Sequence, residues 1–430
     1  MDFTSNADTS KEKQMNIVTK LRNEFSFVRG NYLILILSWI LMDFAGEMPA
    51  LYYGPFVMYD LGATASILGF IGFVSILVLA AVQFPGGYLA DRYGRKWLIS
   101  TLTFGVALSF IFHIVAPSWH WILIGALIGN LCLIYQPALM AMVADSTSPE
   151  KRGMAFSIAT LIANVATTPA PIVAGTLVAV YTRAIGMRIS YTIVVLFYFS
   201  AAVLRSRLKE TVKTEEKIKP RDLISSYPQA IRESVAVWKT VPRSMFFLLI
   251  ANLIITFGLS LGQLFFAVYA VEGEKSVLNL TQIEWALVQT ALFITMIVSA
   301  IPIGKAIDRI NRKVPLLLAH MTFIPGVLFF VYGNFGLLFI AMILIGITQL
   351  LFFASFSSLQ ADLVPREKRA KVIGFSQFLS YILMAFGMLA GGIFYSFNPQ
   401  LPFLLMIALV IPSAIVIALM VHEPAKREAG

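Results

Sequence analysis

The sequence predicts an all-α integral membrane protein with twelve transmembrane helices, six in each of two duplicated halves. Three observations carry this expectation. Of 430 residues 58% are hydrophobic and only 13% are charged, about half the 25% charged residues of an average soluble chain. Apolar runs of roughly 20 residues, enough to cross the hydrocarbon core, start near residues 31, 64, 97, 119, 154, 187, 244, 283, 314, 335, 371 and 401. The decapeptide GYLADRYGRK at 87–96 returns in degraded form, GKAIDRINRK, at 304–313, an offset of 217 residues.

The same offset superimposes other segments without a gap. Asp91, Arg92, Arg95 and Lys96 fall on Asp308, Arg309, Arg312 and Lys313. Ala144, Asp145, Glu150 and Arg152 fall on Ala361, Asp362, Glu367 and Arg369, and the small residues Ala170, Ala174 and Gly175 fall on Gly387, Gly391 and Gly392. Separate stretches sharing one long offset indicate a duplicated half. Continuous runs such as LILILSWIL exclude the short alternating strands of a membrane barrel.

The net charge of +10 reflects topology. All but Arg183, Arg188 and Lys275 among the 33 Lys and Arg residues lie before span 1, in or beside alternate loops, or in the tail. The positive-inside rule then puts both termini and the long central loop in the cytoplasm. This predicts an N-terminal arm at 1–30, a first six-helix bundle at 31–205, a central loop at 206–243, a second bundle at 244–421 and a tail at 422–430. The basic excess meets lipid headgroups, and no nucleic-acid partner is expected. In the arm, which shows no secretory signal, Ile17, Leu21, Phe25 and Val28 have the spacing of a surface helix; a solvated arm is the competing reading. Cys132 is the only cysteine, so intrachain disulfides and thiolate metal clusters are excluded.

Span 1, from about Asn31 to Tyr59, carries Gly46, Pro49, Gly54 and Pro55 with the carboxylates Asp43 and Glu47, so a bend is expected. Interrupted membrane helices belong beside a cavity or protein. The turn between spans 2 and 3 holds Gly87, Asp91, Arg92, Gly94, Arg95 and Lys96. Span 4 carries Asn130, Tyr135 and Gln136 before Pro137, the loop after it Glu150 and Arg152, and span 5 Asn164, Pro169 and Pro171. Leu223, Tyr227, Ile231, Val235 and Trp238 give the central loop a second surface helix. Spans 7, 8, 10 and 11 carry Asn252 and Gln263, Gln289, Gln349, and Gln377 and Tyr381, polar groups suited to a watery path, although such groups also join helices to one another.

Six plus six spans, a basic central loop and GYLADRYGRK between spans 2 and 3 resemble the major facilitator superfamily. The resemblance covers nearly the whole chain. It implies two six-helix bundles related by pseudo-twofold symmetry, with a substrate cavity between them open to one side at a time. It also implies a cytoplasmic gate, in which Asp91 meets a helix of the other half and Arg92, Arg95, Asp145, Glu150 and Arg152, with their echoes Asp308, Arg309, Arg312, Asp362, Glu367 and Arg369, form exchangeable ion pairs. In the second copy Asn311 replaces the glycine, which predicts a looser turn. Span 5, with Ala166, Ala170, Pro171, Ala174 and Gly175, is similar to the Gly-Pro signature of drug and proton antiporters but has alanine at several glycine positions. Span 4 lacks the arginine that many proton-coupled exporters carry.

Asp43 lies about 18 Å along a helix from Asn31, and Glu47 one turn beyond it. A charge at that depth costs about 2.5–3.5 kcal/mol, so both should face the protein interior or water. At roughly 6 Å and an effective dielectric near 20 they repel by about 2.8 kcal/mol, which favours one ionised carboxylate at neutral pH. Such a pair suits a proton, a cationic substrate or an exchange of the two; a hydrogen-bonded structural role is the competing reading. Asp43 and Glu47 fall on Ser260 and Leu264 in the second half. What only one half carries is expected to set cargo or coupling. His113, His120, His320 and His422 are dispersed, so no metal site, cofactor or catalytic set is expected, and Arg188 is a candidate for an acid partner or an anionic substrate.

The expectation is a secondary active transporter of a small organic solute at the plasma membrane, proton-coupled and acting as a monomer, with export of amphipathic or cationic compounds preferred. A nutrient symporter or facilitator for a sugar or organic acid is the alternative. A receptor that keeps the fold without transporting is disfavoured by the short tails and loops, and no constellation for an enzyme stands together.

Overall fold

A computed structural model describes residues 27–148, 151–212, 228, 232, 235–238, 240–274 and 276–423. Ile17, Leu21 and Phe25 of the arm, Leu223, Tyr227 and Ile231 of the central loop, and Glu150 lie outside the described residues. Val28 falls in a turn before the first helix.

Among the described residues twelve helices long and apolar enough to cross a membrane follow one another, six per half. In the first half α1 is Gly30–Ala50, α2 Ala65–Tyr93, α3 Arg95–Ser109, α4 Trp119–Cys132 continued as Gln136–Asp145, α5 Arg152–Thr167 continued as Ala170–Tyr181, and α6 Arg183–Ser206. In the second half α7 is Arg243–Gln263, α8 Gln282–Arg309, α9 Lys313–Tyr332, α10 Phe335–Leu363, α11 Arg366–Phe397 and α12 Leu401–Met420. α2 and α8 begin at Ala65 and Gln282, which are 217 residues apart.

The breaks fall where proline or glycine dictates them. Proline lacks an N–H and clashes with the preceding turn. α4 tightens to a 3-10 turn at Leu133–Tyr135 just before Pro137, and α5 is interrupted at Thr168 and Pro169. α1 ends one residue after Pro49 and is followed by the short turn Tyr53–Pro55 and a π-helical turn at Phe56–Asp60. α2 and α3 are joined by Gly94 alone, at φ 97°, a conformation open to glycine without steric cost. In the second half three residues, Ile310, Asn311 and Arg312, join α8 to α9, and no residue of that linker has a positive φ. The asparagine is accommodated by a longer turn.

The two halves meet through α2 with α11 and α5 with α8. The repeated small residues explain these seams. A side-chain carbon at Gly392 would lie 2.9 Å from Gly69 Cα, one at Gly69 would lie 2.6 Å from the Met388 carbonyl, and one at Gly175 would lie 2.6 Å from Ala286 Cβ. Gly387 and Gly391 instead let α11 press on α7, against the Phe257 and Leu261 carbonyls. Close backbone approach is what small residues provide in membrane helix packing, where apolar burial gives no drive toward association.

The start of α1, the end of α6, the start of α7, the end of α12 and the decapeptide turns share one end of the molecule, called here the basic end. At the far end a single apolar core joins the halves, with Tyr52, Phe56, Tyr191, Phe265, Tyr269 and Trp285 fully or almost fully buried within it. Toward the basic end the core divides. One cluster, including Tyr32, Leu98 and Met142, belongs to the first half, and another, including Leu248, Leu316 and Leu359, to the second.

Polar contacts fasten the far end. Tyr52 OH donates to the Gln282 carbonyl at 2.6 Å and Trp285 Nε1 to the Leu51 carbonyl at 3.4 Å. Arg183 holds Asp60 at 2.6 Å, lies 4.9 Å from the Tyr59 ring centroid and donates to the Glu272 carbonyl of the other half at 3.2 Å.

Candidate functional site

At the basic end the duplicated motif builds the same device twice. Arg95, at the start of α3, pairs with Asp145 at the end of α4, and Arg312, at the start of α9, pairs with Asp362 at the end of α10. Each pair lies within its own half, and the two correspond under the 217-residue offset. The first amides of α3 and α9 are also capped. Arg95 N and Lys96 N donate to Glu210 at 3.1 and 2.9 Å, and Lys313 N donates to Glu423 at 2.6 Å. A carboxylate there satisfies orphan amides and meets the positive end of the helix dipole. Neither Glu210 nor Glu423 was among the residues expected from the motif, because each comes from the segment after the sixth span of its half. Arg369 donates to the Ala361 carbonyl and so ties α11 to α10.

Gly87, Asp91 and Arg92 lie in the last two turns of α2, Asp308 and Arg309 end α8, Arg152 begins α5 and Glu367 lies in the first turn of α11. Their side chains are outside the described set.

Asp43 and Glu47 project from the uninterrupted part of α1, one turn apart and half-buried. Neither has a hydrogen bond or ion pair among the described residues. Asp43 lines a cavity of about 580 Å³ together with Tyr53, His113, Asn130, Tyr135, Gln136 and Arg205. Leu264 and Met388, from the second half, complete its wall, so the cavity lies at the junction of the halves. Gln136 accepts a hydrogen bond from Gln83 at 2.6 Å and Asn130 donates to the Ala126 carbonyl at 2.8 Å, which fixes the polar side of the wall.

The second half has a cavity of about 580 Å³ of different character, lined by Gln263, His320, Thr348 and Gln349 among Phe266, Phe323, Phe352 and Met296. Among the described residues no carboxylate lines it. Ser260, the counterpart of Asp43, turns its hydroxyl onto the Phe257 carbonyl at 2.8 Å and packs against Gly387. Leu264, the counterpart of Glu47, lines the first-half cavity.

Several other polar groups bond between helices or lie away from the cavities. Asn252 donates to Ser380 at 2.9 Å, joining α7 to α11. Gln377 and Tyr381 stand one turn apart on α11, Gln289 is half-buried on α8, and none of these lines either cavity. The side chain of Asn164 is outside the described set. Arg188 donates to the Ala116 carbonyl at 2.9 Å and ties α6 to the turn after α3. His113 packs on Tyr191, and His320 bonds Ser413 at 3.0 Å. Cys132 packs where Gly105 leaves room for its sulfur.

Arg205 is a further residue that the sequence does not single out. The charge pattern groups it with the central loop, yet it lies inside α6 with 1% of its surface exposed. Nε donates to Ser38 at 2.9 Å, and Nη1 donates to Thr103 at 2.9 Å and to Tyr135 OH at 3.1 Å. It lines the same cavity as Asp43 without forming an ion pair to it. The available signal was the set of hydroxyl residues at matching depth on α1, α3 and α4, too sparse to read without the packing.

The Major Facilitator Superfamily model matches residues 35–280 and 265–430. An uncharacterized MFS-type transporter, YqjV of Bacillus subtilis (strain 168), is 30% identical over 112 residues, a stretch covering 26% of this chain and 27% of that relative. The nucleoside transporter NupG superimposes with a TM-score of 0.68 at 16% identity, covering 91% of this chain and 100% of that one. A peptide transporter, POT, in complex with sulfate gives 0.70 at 14% identity, covering 91% and 93%. At such identities the structural likeness speaks for the fold alone.

Proposed function

Since this chain belongs to the major facilitator superfamily and is a multi-pass membrane transporter, we propose that it is a secondary active exporter of amphipathic or cationic organic solutes, driven by protons. One observation carries the reading: Asp43, unpaired among the described residues, stands on the wall of a cavity shared by the two halves, with Glu47 one turn away. The two carboxylates and Arg205 leave that site with a formal charge of −1 when both acids are ionised, which favours a cation. Leu264 and Met388, the apolar wall of that cavity across the junction, suit the rest of an amphipathic solute.

On this reading the basic end faces the cytoplasm of the plasma membrane, with both termini inside and basic loops against lipid headgroups. The halves, sealed at the far end, then have their separate cores on the cytoplasmic side, which suits loading from within. A proton taken up by Asp43 or Glu47 removes the charge that holds the solute, so release and proton entry are linked. Alternating access requires the far-end contacts to part while the basic end closes. One chain holds both halves of the cavity, so a monomer suffices.

The test is uptake of tetraphenylphosphonium into liposomes containing the purified full chain under an imposed pH gradient. Flux should follow the gradient and fall at least tenfold in the double variant Asp43→Asn with Glu47→Gln. Flux that ignores the gradient and survives both substitutions overturns the proposal.

A further inference from the structure

The geometry points to Arg205 as an anion-binding subsite in the first-half cavity, so that the cavity takes organic zwitterions whose cationic and acidic groups stand well apart. This rests on the reading of that cavity as the substrate site and narrows the class of solute.

A guanidinium has five N–H donors. In Arg205 the Nε donor goes to Ser38, and Nη1 serves Thr103 and Tyr135. Nη2 has no partner among the described residues, and the side chain lines the cavity. The three acceptors are neutral hydroxyls, so no ion pair among the described residues neutralises the charge. Two of them are themselves oriented, because Ser38 donates to the Leu35 carbonyl at 2.8 Å and Thr103 to the Ile99 carbonyl at 2.6 Å. With their protons turned away, these hydroxyls present lone pairs to the arginine and fix the plane of the fork. A buried charge left without a counter-ion is costly. Here it is held rigidly with one edge directed to the cavity, the arrangement that favours a carboxylate or another oxyanion.

The second charge of the ligand follows from α1. Ser38 anchors Arg205, and Asp43 lies five residues further along the same helix, a rise of about 7.5 Å, with Glu47 about 6 Å beyond that. A ligand bridging these points carries its acid toward Arg205 and its ammonium toward the carboxylates. Adjacent charges, as in an α-amino acid, do not span the distance. If Arg205 served only as a counter-charge to Asp43, the acid group of a ligand would bring no gain.

Equilibrium dialysis on the purified full chain separates these cases. The probes are 4-(aminomethyl)benzoate, whose charges stand at opposite ends of the ring, its methyl ester, which keeps only the cation, and phenylglycine, whose charges are adjacent. The acid should bind at least tenfold more tightly than the ester, and phenylglycine no better than the ester. Arg205→Lys should cut the preference for acid over ester to below threefold. If that variant does not fold, Thr103→Val, which loosens the fork but keeps the charge, should lower the preference by threefold or more. Equal affinity for acid and ester, no binding of the acid, or a preference unchanged in the variant that folds overturns the inference. Cation flux that still depends on Asp43 and Glu47 would then leave the export reading standing, whereas flux indifferent to them removes that reading by itself.

Discussion

The guanidinium of Arg205 lies 5.5 Å from the centroid of the Tyr135 ring and donates to that tyrosine's hydroxyl at 3.1 Å, across 70 residues of chain. Tyr135 closes the single 3-10 turn of α4, directly before Gln136 and Pro137. The proline therefore bears on the site at one remove. By interrupting the helix it sets the turn from which Tyr135 meets the arginine, and the ring and hydroxyl together partly offset the cost of the buried cation.

Tyr135→Phe should keep the ring and lose the acceptor. A stability loss of about 1–2 kcal/mol is expected, at the upper end for hydrogen bonds between membrane helices. Chemical denaturation of the purified chain in mild detergent checks it, and Tyr135→Leu, which loses ring and hydroxyl, should cost more.

Asp60→Asn should loosen the far end, because Arg183 then keeps its bond to the Glu272 carbonyl but loses its ion pair. Glu272 itself is held by its amide, which donates to the Leu280 carbonyl at 2.9 Å. A loss of about 1–2 kcal/mol corresponds to a 5–30-fold shift toward states open at that end. Ser66, at the far-end start of α2, bonds Ser396 of α11 at 2.9 Å, and in a Cys132→Ala background Ser66→Cys should react faster with a membrane-impermeant maleimide in the Asp60→Asn variant. An unchanged rate would mean that packing alone holds the seal.

Gly69→Ala should destabilise the seam between α2 and α11, since the added methyl meets the Met388 carbonyl and the Gly392 backbone, which cannot give way as a flexible side chain can. Overpacking of this kind costs about 1–3 kcal/mol. Gly374→Ala, on the same α11 with open space around it, should be neutral or stabilising by up to about 1 kcal/mol through helix propensity. Melting temperatures of the two variants should move in opposite directions or differ clearly in size.

Charge reversal should reveal the paired devices at the basic end. Arg95→Asp alone sets two acids together and should lower stability by about 1–3 kcal/mol; adding Asp145→Arg should restore most of it. The same cycle on Arg312 and Asp362, whose side chains are 21% and 13% exposed, should give a similar coupling. A coupling below about 0.3 kcal/mol in both cycles would mean that the pairs add nothing beyond their separate solvation.

The sequence by itself determined the twelve spans, their pairing into two equivalent halves and the two corresponding decapeptide turns. These rest on local quantities: a run of apolar residues crosses lipid whatever surrounds it, and a repeat keeps its offset along the chain. It also singled out Asp43 and Glu47, because an acid at mid-membrane depth is conspicuous without a partner in view. Only the tertiary structure decided which polar groups face a cavity. Asn130 and Gln263 do, whereas Asn252 is taken up by Ser380, and nothing in the three local sequences distinguishes them. It alone took Arg205 from the loop charges into a buried cage of hydroxyls, and it alone showed that the far end is the sealed one. The reason is physical: membrane insertion depends on each segment's own transfer energy, but the satisfaction of a buried polar group depends on neighbours tens to hundreds of residues away, brought close only when the helices pack.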